Sequence, residues 1–225
     1  MEEYLLFNSP GYPILSYIML MPLIGALVCH VIRDALALKI WGLIVTGLTA
    51  LISVPLYTRF DRTTALYQFA EVRTWIPVLD LNYVVGVDGI SVAMIMLTAF
   101  VVIAGVLVSW NMNKMTNSFF FLLILLSLGA YGFFISLDLF TLFFFLEIAV
   151  IPKYLLIGIW GSGRKEYSAN KLALMLMGGS ALILVGILAL YFSYPEGSRT
   201  FDMLQIAAKD IPVETQRFIF PLIFI

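Results

Sequence analysis

Long apolar runs separated by short polar segments make up most of this chain. Each run is close to the roughly 20 residues that a helix needs to cross about 30 Å of hydrocarbon. The runs do not alternate between apolar and polar positions, as the strands of a membrane barrel do. The pattern therefore predicts an all-α fold, a polytopic bundle of transmembrane helices. Six complete spans are expected, at Ile14–Ile32, Ile40–Tyr57, Ile90–Trp110, Phe119–Ser136, Leu139–Trp160 and Leu172–Tyr191.

Two polar connections, residues 58–87 and 193–217, interrupt the apolar pattern and are predicted to lie at the membrane surface. The first carries charged residues such as Glu71 and Arg73, which we expect at the water interface. The second contains a short amphipathic stretch that begins at Thr200, the expected cap of an interfacial helix.

An apolar stretch, residues 218–225, closes the sequence. So short a stretch cannot cross a bilayer as a helix, and we expect it to begin a seventh span of a larger subunit. Residues 1–225 are then a single membrane domain, the N-terminal part of that subunit. No removable signal peptide is expected, because Glu2 and Glu3 stand where such a signal carries positive charge.

The composition agrees with a membrane protein and excludes several functions. Apolar residues form 62% of the chain and charged residues 12%, about half the charged share of a soluble domain. A single cysteine, Cys29, cannot form a disulfide or a thiolate metal site within the chain. The net charge of -1 argues against nucleic acid as a partner. The sequence has no ligand set for haem or iron–sulfur clusters and no nucleotide-binding glycine motif, so redox cofactors are expected elsewhere.

Basic residues are concentrated in the short loops after the first, third and fifth spans. By the positive-inside rule these loops are cytoplasmic, and the N-terminus lies on the outer side of the membrane. The basic residues of these loops are Arg33, Lys39, Lys114, Arg164, Lys165 and Lys171.

Glu147 is the candidate functional residue, because it lies near the middle of the fifth span. At 1.5 Å per residue it sits roughly 12–13 Å along the helix. A charged side chain at that depth costs roughly 3 kcal/mol and usually marks a proton or ion pathway. Pro152 leaves the carbonyl of Ile148 without its helical donor, so that carbonyl could hold water beside the acid. The alternative is a neutral, hydrogen-bonded carboxyl with a structural role.

Three further charged residues have two interpretations each. Lys153 lies about 240° around the helix from Glu147, so the two cannot pair on one face, and its stem could instead reach toward the cytoplasmic surface. Lys171 opens the sixth span and is either an interfacial anchor or a charge at the mouth of a proton pathway. Asp138 precedes the fifth helix, where a carboxylate favours a capping role.

The sequence around Glu147 resembles the antiporter-like subunits of respiratory complex I, most closely those of the subunit M type. The similarity covers most of residues 75–190 and is specific only in combination. It rests on Gly86-Val-Asp-Gly-Ile-Ser91, Ser136-Leu-Asp-Leu-Phe-Thr-Leu-Phe-Phe-Phe-Leu-Glu147, Ile151-Pro152, Leu155-Leu-Ile-Gly-Ile-Trp-Gly161 and Lys171-Leu-Ala.

This resemblance implies a proton-translocating membrane-arm subunit of an NADH:quinone oxidoreductase. Glu147 would be its proton-transfer residue, and the partner lysine of the family's seventh helix would lie beyond Ile225. Lys153 departs from the family, which usually has an apolar residue after that proline. NADH, flavin, iron–sulfur clusters and quinone would bind other subunits. The partners would be further membrane-arm subunits and the lipid bilayer, in a bacterial inner membrane.

Other functions stay open at this point. The fifth-helix pattern is shared with subunits of multisubunit sodium/proton antiporters and of membrane-bound hydrogenases. A scaffold that holds a membrane arm together without moving protons is a further possibility. A transporter of small organic solutes fits less well, since no other span has a mid-helix ionisable group or a broken helix.

Overall fold

The computed structural model describes residues 5–6, 12–76 and 81–224. In this part of the chain, the α-helices are α1 (Ile14–Val28), α2 (Ala35–Thr58), α3 (Gly89–Val108), α4 (Thr116–Ile135), α5 (Leu139–Trp160), α6 (Lys165–Phe192), α7 (Met203–Ala207) and α8 (Val213–Phe224). The strands are β1 (Leu5–Leu6), β2 (Tyr67–Ile76) and β3 (Leu81–Val87).

Among the described helices, α2 to α6 are the five that are long and apolar enough to cross a membrane. Helix α1 is shorter than predicted, with 15 residues, or about 22 Å of helix. It begins directly after Pro13 and gives way to a turn at Cys29. The predicted set of six spans is therefore matched in five cases.

The other boundaries differ from the prediction because a cap or a run of polar residues extends the helix. Helix α2 starts at Ala35 because the carboxylate of Asp34 caps it, accepting a bond of 2.7 Å from the amide of Ala37. Helix α6 begins at Lys165, before the apolar run starts. Helix α8 begins at Val213, inside the predicted second connection.

Helix α4 lies at the centre of the bundle and packs against α1, α2, α3 and α5. One apolar core lies toward the start of α1 and includes Ile14, Ile18 and Tyr131. A second lies toward the other end of the bundle, around Leu38 and Phe120. These cores fix α4 and, through it, the helix that carries Glu147.

A small sheet covers one end of the bundle and corrects the all-α expectation for the first connection. β1 pairs parallel with β2, and β2 pairs antiparallel with β3. Segment 67–76 is rich in aromatic and β-branched residues, which favour strands. The sheet is tied to the helices because the amide of Leu137 donates a bond of 2.9 Å to the carbonyl of Val84.

The second connection contains the short helix α7, with a different cap from the one predicted. Asp202 caps it, accepting bonds from the amides of Leu204 and Gln205 at 2.8 and 3.2 Å. Thr200 lies two residues earlier, and its hydroxyl accepts a bond from the amide of Asp202. An aspartate is at least as good an N-cap as a threonine, so the helix begins after Asp202 and not after Thr200.

The three predicted basic loops meet at the end of the bundle opposite the sheet. Lys39 donates a bond of 3.1 Å to the side chain of Asn113. The indole of Trp160 donates one of 2.7 Å to the carbonyl of Lys114, and Lys165 donates one of 2.8 Å to the carbonyl of Ile159. The bundle therefore has a basic end and a sheet end, as the alternation of loops predicts.

Candidate functional site

Helix α5 packs against α4 through glycines. A Cβ atom at Gly132 would lie 2.2 Å from the ring of Phe145, and one at Gly129 would lie 2.8 Å from the Cβ of Ala149. Contacts that short are impossible, so only glycine permits this approach. This side of α5 is closed and apolar.

Glu147 lies on the opposite side of α5, toward α6. It is two residues after Phe145, or about 200° around the helix. Tyr154, seven residues further on, points in nearly the same direction, and its hydroxyl lies 3.2 Å from the amide oxygen of Asn170 on α6. The acid is therefore at the α5–α6 interface.

Ser180 is the polar residue of α6 that lies at the level of Glu147. The Cβ of Ala169 lies 3.6 Å from the position of a Cβ at Gly158. Glu147 lies eleven residues before Gly158 on α5, and Ser180 lies eleven residues after Ala169 on α6. Because the two helices are antiparallel, Ser180 lies opposite the acid. Ser180 is buried, and its hydroxyl donates a bond of 3.2 Å to the carbonyl of Met177. The sequence alone does not give this register.

One carboxyl oxygen of Glu147 is both buried and unpaired. The residue as a whole is half-buried, but its Oε1 is inaccessible and has no hydrogen-bond partner among the described residues. Buried polar atoms normally have a partner, and the exceptions are often functional. An oxygen in this position can take up a proton without breaking an existing bond.

A groove of about 410 Å³ runs between α5 and α6 and begins one turn from Glu147 toward the basic end. Apolar side chains and the polar groups of Tyr154 and Asn170 line it. Its lining residues are Val150, Ile151, Tyr154, Asn170, Ala173, Leu174 and Met177.

Neither candidate lysine lies on the Glu147 side of this interface. Lys153 is half-buried, and it lies about 240° around α5 from Glu147, or about 120° by the shorter way. Lys171 is exposed, and nine residues separate it from Ser180, which places it on the opposite side of α6. Within the described part of the chain, neither lysine has an ion pair.

Asp138 caps α5 as predicted, accepting a bond of 2.9 Å from the amide of Thr141. It is 1% exposed. Burial raises the pKa of Asp138, the amide and the hydroxyl of Thr141 and the amide of Phe140 lower it, and the nearby charge of Asp202 raises it. The net direction is upward, so this carboxyl holds a proton more readily than an exposed aspartate.

Glu71 is a buried acid that the sequence did not identify. It was expected at the water interface but is only 8% exposed. Its Oε1 accepts bonds from the amides of Leu15 and Ser16 at 2.8 and 3.3 Å, and its Oε2 accepts from the Ser16 hydroxyl. Pro13 provides no side-chain cap, so Glu71 caps α1 from the sheet. Strand β2 lies 55 residues away along the chain, too far for a local sequence signal.

The residues that the structure describes contain no cluster of three or more histidine, cysteine or acidic side chains that could bind a metal. The polar groups described at the α5–α6 interface are the Glu147 carboxyl, the Ser180 hydroxyl, and the phenol of Tyr154 with the amide of Asn170. Such groups bind and pass protons.

Sequence comparison relates nearly the whole chain to quinone oxidoreductase subunits. NAD(P)H-quinone oxidoreductase chain 4 1 of Microcystis aeruginosa is 34% identical over 216 residues, covering 95% of this chain and 41% of that protein. Chain 4-1 of Synechocystis is 36% identical over 212 residues, covering 93% and 40%. The chain thus spans about two fifths of the length of these curated relatives.

Solved structures have the same fold. A chain of respiratory complex I from Thermus thermophilus matches with a TM-score of 0.79 and 22% identity, over 93% of this chain and 43% of that one. A chain of the Mrp complex from Dietzia matches with a TM-score of 0.76 and 13% identity, over 92% and 22%. Residues 136–225, which include α5 and Glu147, match the family described as NADH:quinone oxidoreductase/Mrp antiporter, transmembrane. Residues 136–225 are therefore a segment of this family, and nearly the whole chain is similar in sequence to NAD(P)H-quinone oxidoreductase chain 4.

Proposed function

We propose that this chain is the N-terminal part of a membrane-arm subunit that translocates protons in an NADH:quinone oxidoreductase. The relatives named NAD(P)H-quinone oxidoreductase chain 4 support the choice of complex. The observation that carries the proposal is the buried, unpaired carboxyl oxygen of Glu147 at the α5–α6 interface. Such a carboxyl can alternate between the acid and the carboxylate.

The alternation follows from the surroundings of Glu147. In a site with little water, the neutral acid is favoured when no cation is near, and the carboxylate is favoured when a cation approaches. The Ser180 hydroxyl can turn from the carbonyl of Met177 to donate to the carboxylate. Quinone reduction in neighbouring subunits, which would hold NADH, flavin, iron–sulfur clusters and quinone, then biases this equilibrium.

The arrangement in the membrane is part of the proposal. With flanking residues, α1 completes a sixth span, and α8 begins a seventh. The basic end faces the cytoplasm of a bacterial cell, so the N-terminus lies outside. Other membrane-arm subunits and lipid cover the exposed sides of the helices. Lys153 and Lys171 are secondary candidates for charges along the pathway.

Glu147→Gln tests the proposal in the assembled complex. The glutamine keeps the shape of the side chain but cannot release a proton at physiological pH. Measured in membrane vesicles, we expect fewer protons translocated per NADH oxidised, with assembly unchanged. Glu166→Gln, at an exposed position in the first turn of α6, is the control. An unaltered ratio in the Glu147 variant would rule the role out.

A sodium/proton antiporter subunit is the alternative, because the family description and the fold both include the Mrp complexes. Purification of the intact assembly separates the two functions. An NADH:quinone oxidoreductase would retain flavin and iron–sulfur subunits and oxidise NADH, whereas an antiporter would exchange ions without an electron donor. A scaffold without transport would lose activity on Glu147→Gln only where assembly is also lost.

A further inference from the structure

Two aspartates lie side by side where α5 and α7 begin. Asp138 and Asp202 form an antiparallel bridge, and the backbone bonds on either side of it are 2.9 and 3.0 Å long. These bonds flank the pair and do not join its two residues, so it is of the non-hydrogen-bonded kind, in which the side chains are closest and on one face. The two carboxyl groups are therefore neighbours.

Both aspartates are buried, each with 1% of its surface exposed. Each uses Oδ1 to cap its own helix, Asp138 for the amide of Thr141 and Asp202 for that of Leu204. Oδ2 of Asp202 also accepts a bond of 3.4 Å from the side-chain amide of Gln205. Oδ2 of Asp138 is inaccessible and has no partner in the part of the chain that the structure describes. Two neighbouring buried carboxylates repel each other when both are ionised, and a single proton between them removes the repulsion.

The hydroxyl of Thr141 provides a route to this pair. Thr141 is 2% exposed, and its Oγ1 has no hydrogen-bond partner among the described residues. The hydroxyl is nevertheless close enough to the Asp138 carboxyl to lower the pKa of that group by favouring its ionised form. Thr141 also lines an open cavity of about 350 Å³ with Arg73, Tyr83, Phe144 and others. Thr141 therefore lies between the cavity and the carboxyl, although its Oγ1 is itself closed to solvent.

We propose that Asp138 and Asp202 share one proton, and that this proton enters from the cavity through the Thr141 hydroxyl. In the uptake step, the wall of the cavity opens far enough for water to reach Thr141 Oγ1, and a hydronium ion gives this oxygen a proton while the hydroxyl proton passes to Asp138 Oδ2. Water, an unchanged threonine and a neutral carboxylic acid result. Within the proposed translocation, on which this role rests, the pair is a second proton-binding site at the sheet end of α5.

The surroundings agree with a protonated pair. Burial and then the Asp202 charge raise the pKa of Asp138 against the effect of the capping amides and of the Thr141 hydroxyl. The charged and titratable groups of the described residues around it are Asp202 at the start of α7 and, across the cavity, Arg73 on β2 and Tyr83 on β3. Burial raises the pKa of Tyr83 to about 12, so this phenol stays neutral. Among the described residues that line this cavity, Arg73 is the cation.

Infrared spectroscopy of the complex, with its aspartates labelled with carbon-13, tests the proposal without measuring transport. In Asp138→Asn, asparagine still caps α5 but cannot hold a proton, so one signal of a protonated aspartate should be lost. In Asp202→Asn, the Asp138 signal should remain and titrate at a lower pH, since the like charge is gone. Asp61→Asn, at an exposed position, is the control and should leave the signal unchanged.

The route is tested by hydrogen–deuterium exchange of the same signal. Thr141→Val should slow exchange of the Asp138 carboxyl proton several-fold, while Thr141→Ser should keep the normal rate. A signal unaffected by both asparagine substitutions would overturn the shared proton, and exchange unaffected by Thr141→Val would overturn the route. These measurements do not depend on Glu147, so their failure is distinct from an unchanged proton ratio in Glu147→Gln.

Discussion

Helix α5 has two sides that are built in opposite ways. Toward α4, glycines allow the backbones to approach until Phe145 and Ala149 fill the interface completely. Toward α6, the contact at Gly158 has ordinary spacing, and Glu147 has a buried oxygen without a partner among the described residues. The first side fixes the position of the helix, and the second keeps an acid in a site that can change its protonation.

This difference gives the mid-membrane carboxyl a rigid support. A proton-transfer group must keep its distance from donors and acceptors while its charge changes, and close packing resists such displacement. The freedom needed for chemistry is then confined to the α5–α6 side. Substitutions on the two sides should therefore have different consequences, structural on one and functional on the other.

The largest effect is expected for Gly132→Ala. The added methyl group would overlap the ring of Phe145, and overpacking of a filled core costs about 1–3 kcal/mol or more. Helices α4 and α5 should separate, with a lower melting temperature and poorer assembly of the complex. Thermal unfolding of the purified complex measures the loss.

Gly158→Ala is the matched control, since it is the same change on the other side of α5. Its new methyl group would meet the Cβ of Ala169 at 3.6 Å, an ordinary contact. The melting temperature should stay the same or rise slightly, because alanine also favours helix over glycine by about 1 kcal/mol. Equal destabilisation by the two substitutions would show that the sides of α5 do not differ as described.

Local signals explain what the sequence could predict about these two sides. The depth of Glu147 follows from counting along an apolar run, and the capping by Asp138 follows from its place before a helix. Neither the partner of Asp138 nor the residue opposite Glu147 could be predicted, because Asp202 and Ser180 approach through tertiary packing. The burial of Glu71 was missed for the same reason, since the helix that it caps is distant along the chain.

The next largest effect is expected for Asp138, the residue that caps α5 beside the sheet. The pKa of Asp138 is raised in the folded protein, so the folded state binds this proton more tightly than the unfolded state does. The resulting stabilisation is complete below the usual pKa of aspartate and is lost as the pH rises through the raised value. Asp138→Asn should remove this part of the pH dependence of the melting temperature.

The pKa of Asp61 is shifted in the opposite direction from that of Asp138. The hydroxyl and then the amide of Thr63 lower its pKa, so its contribution is present above the usual pKa of aspartate and is lost as the pH falls through the lowered value. Asp61→Asn should change the melting temperature only at the acidic end of its dependence on pH. If Asp138→Asn changed the melting temperature at that same end and nowhere else, Asp138 would be an ordinary ionised cap.

A smaller effect is expected for Ser180→Ala, on the functional side of α5. The hydroxyl contributes about 1 kcal/mol if it binds the Glu147 carboxylate during transfer, which corresponds to a rate factor of about five. Proton translocation in vesicles should slow by that factor while the melting temperature hardly changes. Ser180→Thr, which keeps the hydroxyl, should restore the rate, and a normal rate in the alanine variant would remove Ser180 from the site.

The smallest effect is expected for Lys171→Met. This exposed lysine lies on the side of α6 that faces away from α5, and exposed substitutions usually change stability by about 0.5 kcal/mol or less. Lys153→Met is its counterpart on α5, half-buried and about one and two-thirds helix turns from Glu147. If the lysine on α5 contributes more to the pathway than the lysine on α6, fewer protons should be translocated per NADH oxidised in Lys153→Met than in Lys171→Met in the same vesicle assay. A larger loss for Lys171→Met would place the pathway on the outer side of α6, because the lysine there would then have to exchange protons with a neighbouring subunit and not with Glu147.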